Sequence, residues 1–297
     1  MKKIFICGDP HGSFDHIVSA IDEYHPESVV ILGDLTPEKP LDEIFKDCGK
    51  TQIYWIPGNH DTDSDLIYDR LYRSRFSNHN LNGKVLDVGR LKVAGLGGVF
   101  RGQIWMPPGK PNYFSPTSFI RKVGKSGMWR GGLPRRHRST IFASTYERLS
   151  GMKADMLVTH EAPSMHAKGF KAIDDLAHKL GVKYIFHAHQ HESCNYGVIN
   201  GIVARGVGLR GIVDLEGNII VPAQVDPREI DTFDDKAKKN FVHHTASPYP
   251  ERTPSSHRRE RTPLRHKTKW LKNRRRKTES HGQSRRNGQD RSPQTKQ

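Results

Sequence analysis

The sequence predicts an α/β fold of two packed mixed β-sheets flanked by helices, and three observations carry that prediction. Short apolar β-type runs alternate with helical stretches along the chain. Additional hairpin-like runs lie between and after them, which asks for a second sheet packed on the first. Polar residues with metal-ligand chemistry recur at the ends of the predicted strands, as expected where strand-end loops converge on one crevice.

In order, Lys3 to Cys7 reads as a buried strand, and Ser13 is placed to cap a helix with the apolar stripe Ile17, Ala20, Ile21 and Tyr24. Ser28 to Leu32 and Gln52 to Ile56 are the next strands, followed by shorter β-like pieces at Val85 to Val88 and Lys92 to Ala94. Gly95-Leu96-Gly97-Gly98 lacks the Lys-Ser/Thr of a phosphate-binding loop and reads as a bend beside the site. Met156 to Thr159 is a strand, a helix around Ile173, Leu176, Ala177 and Leu180 stops at Gly181, and Lys183 to Phe186 is another strand. Gly197 to Ala204 and Gly211 to Val221 complete the β-type runs. There is no internal repeat and no heptad pattern.

Charge divides the chain more sharply than hydropathy does. The 297 residues carry 48 Lys+Arg against 32 Asp+Glu, a net charge of +16, with 34% hydrophobic residues and a mean hydropathy of −0.71. Glu251 to Gln297 holds 16 Lys/Arg and 4 Asp/Glu, and Phe100 to Ser150 holds ten basic residues and one acid. The expected organisation is a domain over 1–225 with a basic insertion at 100–150, then a basic tail over 226–297. The tail has too few apolar residues to offset the entropy of ordering it, so disorder is expected there. Its charge fits non-specific, salt-sensitive attachment to nucleic acid.

No run approaches the ~18 consecutive apolar residues of a membrane span. Met1-Lys2-Lys3 resembles the start of a signal peptide, but the apolar run after it ends at Gly8-Asp9. Three scattered cysteines argue against a disulfide framework and a thiolate zinc site. A reducing, cytoplasmic setting is the expectation.

Five clusters carry the chemistry: Asp9-Pro10-His11, Gly33-Asp34, Gly58-Asn59-His60-Asp61, Thr159-His160-Glu161 and His189-Gln190-His191. Carboxylate, amide oxygen and imidazole without thiolate suit Mn, Fe, Zn or Ni. Asp34, with two oxygens, can bridge two cations, and a pair about 3.5–4 Å apart would clamp a phosphate and acidify a shared water.

These motifs, in this order and at strand ends, resemble the calcineurin-like metallophosphoesterase superfamily, with the resemblance covering roughly Met1 to Val221. It implies a four-layer sandwich and a binuclear centre, with Mn²⁺ first among the candidate metals. Asp9, His11, Asp34 and His191 would hold one metal, and Asp34, Asn59, His160 and His189 the other. His60 resembles the family's non-ligand catalytic histidine, and Asp61 would fix its tautomer or support the metal shell. The implied reaction is attack on a phosphate ester by a hydroxide bridging the two metals.

Two departures stand out. Many members have a second Asp three residues after the Asp of the second motif, where this chain has Pro37, which argues against close kinship with the serine/threonine protein phosphatases. Ala188 replaces the glycine usual before the last motif. A lone histidine is ordinarily a core residue, and His16, His25, His166, His178 and His187 keep that reading. In the insertion, Arg130, Arg135 and Arg138 are candidates for gripping a non-reacting anionic part of a phosphorylated substrate. The preferred reading is a phosphatase-type hydrolase. The alternatives are a phosphodiesterase or nuclease acting on nucleic acid, and a non-catalytic nucleic-acid-binding scaffold.

Overall fold

A computed structural model of the chain describes residues 3–226. The tail expected over 226–297 lies outside the described residues except for Asp226. The first sheet contains β1 (Ile4–Cys7), β2 (Ser28–Ile31), β3 (Gln52–Trp55), β10 (Ile212–Asp214) and β11 (Ile219–Val221), in the order β11-β10-β1-β2-β3. The second contains β4 (Val85–Val88), β5 (Leu91–Leu96), β6 (Met156–Thr159), β7 (Tyr184–His187), β8 (Cys194–Ile199) and β9 (Ile202–Gly206), in the order β4-β5-β6-β7-β9-β8. Both are mixed. β1-β2-β3 and β5-β6-β7-β9 run parallel, while β10, β11, β4 and β8 pair antiparallel.

Side-chain alternation along the strands builds four layers. Ile4 and Ile6 of β1 join Val30, Leu32, Val93, Met156, Val158 and Phe186 in a core between the sheets. Phe5 and Cys7 point the other way, onto Ile17 and Ile21 of α1 (Asp15–Tyr24), Leu41 of α2 (Leu41–Ile44) and Leu71 of α3 (Asp65–Tyr72). The outer face of the second sheet packs Leu157, Ile185 and Ala204 on α5 (Ala143–Ser150) and α6 (Lys171–Leu180). Between β5 and α5, the helix α4 (Pro116–Val123), capped by Ser115, packs Phe119 against Ile104 and Phe142 in a small core of its own.

The structure revises several expectations. Ser13 does not cap α1; Phe14 holds that position and no side chain caps the helix. The run from Gly197 to Ala204 is the β8–β9 hairpin, and that from Gly211 to Val221 is the β10–β11 hairpin. Within the segment 100–150, α5 places Tyr146 and Leu149 in the main core. The segment's basic charge concealed that apolar stripe. Gly181 ends α6 in the left-handed conformation, as expected. Ala188 is buried in the inter-sheet core, so its methyl packs rather than crowds the loop.

Candidate metal centre

Each ligand-type residue follows the carboxyl end of a strand: Asp9 and His11 after β1, Asp34 after β2, Asn59 and His60 after β3, His160 after β6, His189 and His191 after β7. Bringing them to one point demands sharp turns. Asp9, His11, Asp34, His189 and His191 all have positive φ, between 33° and 68°. Such backbones cost about 1–2 kcal/mol each for residues with a Cβ, and strain of this kind concentrates at functional sites. Gly33 shows how close the loops approach: with φ 105°, a Cβ there would lie 2.5 Å from His160 Nδ1.

Two donor sets result, Asp9 with His11 and His191, and Asp34 with His160 and His189. The Nε2 atoms of His11 and His191 face each other at 3.0 Å. His160 Nε2 lies 3.1 Å from Asn59 Oδ1. Asp34 Oδ2 stands between the sets, 3.8 Å from His11 Nε2 and 3.4 Å from His160 Nε2. Its Oδ1 accepts the His60 N–H at 2.8 Å.

Hydrogen bonds set the ring orientations. His160 Nδ1 donates to Leu32 O at 2.8 Å and His191 Nδ1 to Asp226 Oδ2 at 2.5 Å, which turns both Nε2 atoms toward the other donors of the site. The carboxylate Asp226 is buried, one residue past the expected domain boundary, and no motif in the sequence marks it. Asp9 accepts the His189 N–H through Oδ2 at 2.8 Å.

Burial pushes Asp9 up to about 8, with Asp34 adding to the rise and His160 opposing it. Burial also tends to raise Asp34, but His160 outweighs it and holds that carboxyl well below the usual range. Against its own burial, His160 is raised to about 10 by Asp34 and Asp9. Burial lowers His11 to about 4 and His189 to about 3, the neutral form in which imidazole ligates.

His60 lies at the mouth, 5.7 Å from the His11 ring. Its Nδ1 bonds Asp63 Oδ2 at 2.7 Å. Of the two roles expected of Asp61, fixing the His60 tautomer or supporting the metal shell, the first falls to Asp63 instead. Asp61 is buried and turned away, with Oδ1 accepting the Thr36 N–H at 2.8 Å and Oδ2 the Gly58 N–H at 2.7 Å, so it ties the second and third motif loops together. Asp63 was legible in principle, three residues after His60 and thus on the same face of the short helical turn at His60–Thr62.

The arginines also sort differently. Arg130 is engaged by Asp69 and Asp65 and lies 4.3 Å over the Trp129 ring, and Arg138 donates to Tyr68 Oη at 3.0 Å, so both hold the insertion to α3 rather than reaching the metal ligands. Arg135 binds Asp65 and the Thr62 and Asp63 carbonyls, and with Arg101 and Arg136 it lines a cavity that includes Asn59. His187 is structural as expected, buried and bonded to Tyr196 Oη at 3.0 Å. His166 gathers with Glu192 and Cys194, but its Nδ1 accepts the Lys168 N–H at 3.1 Å, which leaves the proton on Nε2 and no free lone pair for an ion.

Residues 2–193 match the family described as calcineurin-like phosphoesterase. The chain belongs to that family. It is a hydrolase family acting on phosphoester bonds, whose members typically carry two metal ions. An uncharacterized protein of Haemophilus influenzae is 43% identical over 228 residues, covering 76% of this chain and 99% of that protein. Among solved structures, TT1561 of Thermus thermophilus is similar at 13% identity with a TM-score of 0.47, covering 72% of this chain and 95% of its own. Vacuolar protein sorting 29 of Cryptosporidium parvum is similar at 14% identity with a TM-score of 0.35, covering 76% of this chain and 92% of its own.

The donors fit the calcineurin-like metal pair. Asp9 Oδ1 is buried and accepts no hydrogen bond from the described residues, an orphan that a cation would satisfy. The facing Nε2 atoms of His11 and His191 are spaced as two ligands of one ion would be. No helix among the described residues is long and apolar enough to cross a membrane.

Proposed function

We propose that the protein is a phosphatase-type metallophosphoesterase that hydrolyses a phosphate monoester at a binuclear centre. Asp9, His11, Asp34 and His191 would hold one ion, and Asp34, Asn59, His160 and His189 the other. The observation that carries this reading is the position of Asp34 Oδ2 between the two donor sets, 3.8 Å from His11 Nε2 and 3.4 Å from His160 Nε2. Oxygen and imidazole donors without thiolate favour Mn²⁺, with Fe, Zn or Ni compatible. When bound, such a pair supplies Lewis acidity toward the phosphoryl oxygens and a nucleophilic water at neutral pH.

The chain's own groups do the rest. Asp63 fixes the His60 ring through Nδ1, so Nε2 is presented to the cleft, where it donates a proton to the leaving oxygen or neutralises charge on the phosphoryl group. Arg210, anchored to the Pro10 carbonyl at 3.1 Å and to Gln224 at 3.0 Å, forms part of the wall of the cavity of about 430 Å³ that contains His11, His60 and His191.

The test is hydrolysis of a chromogenic monoester beside the matching diester by Mn²⁺-reconstituted protein, with Asp34→Asn and His60→Ala as controls. Monoester turnover should exceed diester turnover and collapse in both variants, with bound metal lost only in Asp34→Asn. A preference for the diester would replace the phosphatase reading with a phosphodiesterase one, and unchanged turnover in Asp34→Asn would overturn the centre.

A further inference from the structure

We infer that Arg101, Arg135 and Arg136 form an anion site for a second phosphoryl group, so that the substrate is an organic ester carrying a phosphoryl group beside the one removed. This rests on the proposed reaction for its meaning, but the site itself stands on separate residues. The three guanidiniums line a cavity of about 460 Å³ together with Asn59, Thr62 and Asp63. Asn59 is a proposed metal ligand and Asp63 holds His60, so this cavity adjoins the reacting centre. Asp63 also lines the cavity that contains His11, His60 and His191.

The local charges are unbalanced. Arg135 is engaged by Asp65 and by the Thr62 and Asp63 carbonyls. Arg101 is anchored through Nη1 alone, to the Ser139 carbonyl at 2.7 Å and Thr140 Oγ1 at 2.8 Å, which leaves its other N–H groups without an acceptor among the described residues. Arg136 is exposed and its side chain makes no hydrogen bond or ion pair among them; only its carbonyl is engaged, by Ser139 Oγ at 3.3 Å. Burial chiefly, and next the neighbouring Arg136, hold Arg101 below its usual range, with Asp63, Glu161 and Asp34 opposing. A phosphoryl group would supply acceptors for the free N–H groups and relieve that repulsion, since the guanidinium fork matches phosphate oxygens.

The anchoring distinguishes this cluster from a solvated basic face. Arg101 and Arg135 are half-buried, tied to backbone carbonyls at 2.7–3.0 Å, and presented by segments that also pack Ser139 against Thr62. Arg130 and Arg138, the other basic residues of the insertion near α3, face aromatic rings instead.

The experiment is equilibrium dialysis of the full chain against radiolabelled inorganic phosphate, with metals bound and again after chelation, for wild type, Arg136→Gln and Arg136→Lys. The expected result is a phosphate that persists after chelation, weakens about tenfold in Arg136→Gln and less in Arg136→Lys, as loss and retention of a charged donor predict. Phosphate binding that disappears on chelation and is indifferent to Arg136→Gln would overturn the inference while leaving the metal centre intact. No binding to the chelated wild type would also overturn it. Failure of the proposed reaction would instead show as absent metal or absent turnover, with the Arg136-dependent phosphate unaffected.

Discussion

At the residue scale, two carboxylates separated by one position do different work, and substitution separates them. Asp63 bonds the His60 ring at 2.7 Å, whereas Asp61 accepts two backbone N–H groups from different loops. Asp63→Asn is expected to lower kcat about 10- to 100-fold with bound metal unchanged, because the imidazole loses its orienting charge but the ligands do not move. Asp61→Ala is expected to act first on stability, lowering the free energy of unfolding by about 1–3 kcal/mol per buried N–H left unpaired. Urea unfolding and metal analysis on both variants check the pair; a catalytic loss without destabilisation in Asp61→Ala would reverse the assignment. The ligand-type residues themselves were legible, because ligand chemistry at a strand end is a local signal. Asp226 and Arg101 were not, since each acquires its role only from a neighbour distant in sequence, His191 or Asn59.

At the scale of elements, strand runs were readable and their partners were not. Apolar β-type runs at Ile4–Cys7 and Met156–Thr159 announce strands, but nothing local tells which sheet each joins, and hairpins such as β8–β9 merge into one run. α5 was hidden because basic residues surround its apolar stripe. The stretch after β11 matters for the same reason of distance: it carries Asp226 back to His191, 2.5 Å from its Nδ1. Asp226→Asn is expected to raise the metal dissociation constant about 10- to 100-fold, read as metal retained after dialysis. Unaltered retention would reduce Asp226 to a packing role.

His137 gives the 100–150 segment a pH dependence. It is buried against Phe119, with ring centroids 4.6 Å apart, and burial followed by Arg101 lowers it to about 4. Between its unfolded value of about 6.5 and that folded value, the unfolded chain takes up a proton that the folded chain refuses. Its contribution therefore falls as pH drops through that window. His137→Gln lacks this loss, so its stability relative to wild type should improve from pH 7 to pH 5, and a difference constant across that range would sink the idea. The comparison between the two proteins carries the test, because acid release of metal affects both alike.

At the scale of the whole molecule, charge is partitioned between a catalytic body and the residues after it. Outside the segments 100–150 and 251–297 the chain is mildly acidic, while Glu251 to Gln297 alone carries 16 basic against 4 acidic residues. That mildly acidic remainder would repel a polyanion, so any affinity for nucleic acid belongs to those last residues or to the 100–150 arginines, and the two sources differ in a measurable way. Counterion release makes binding through many lysines and arginines fall steeply with salt, by a slope of about 0.9 for each DNA phosphate neutralised. A chain ended after Asp226 keeps the His191 partner, and the curated relative from Haemophilus influenzae is matched over 99% of its length by 228 residues. Such a chain is expected to retain bound metal and turnover of a small ester while losing most of the affinity of the full chain for a DNA duplex at 50 mM salt. Filter binding at 50 and 200 mM salt reads the second effect. Equal affinity and equal salt slope in the two chains would place the nucleic-acid contact on the body instead, beside Arg101 and Arg136, and would favour a phosphodiester substrate over a small doubly phosphorylated one.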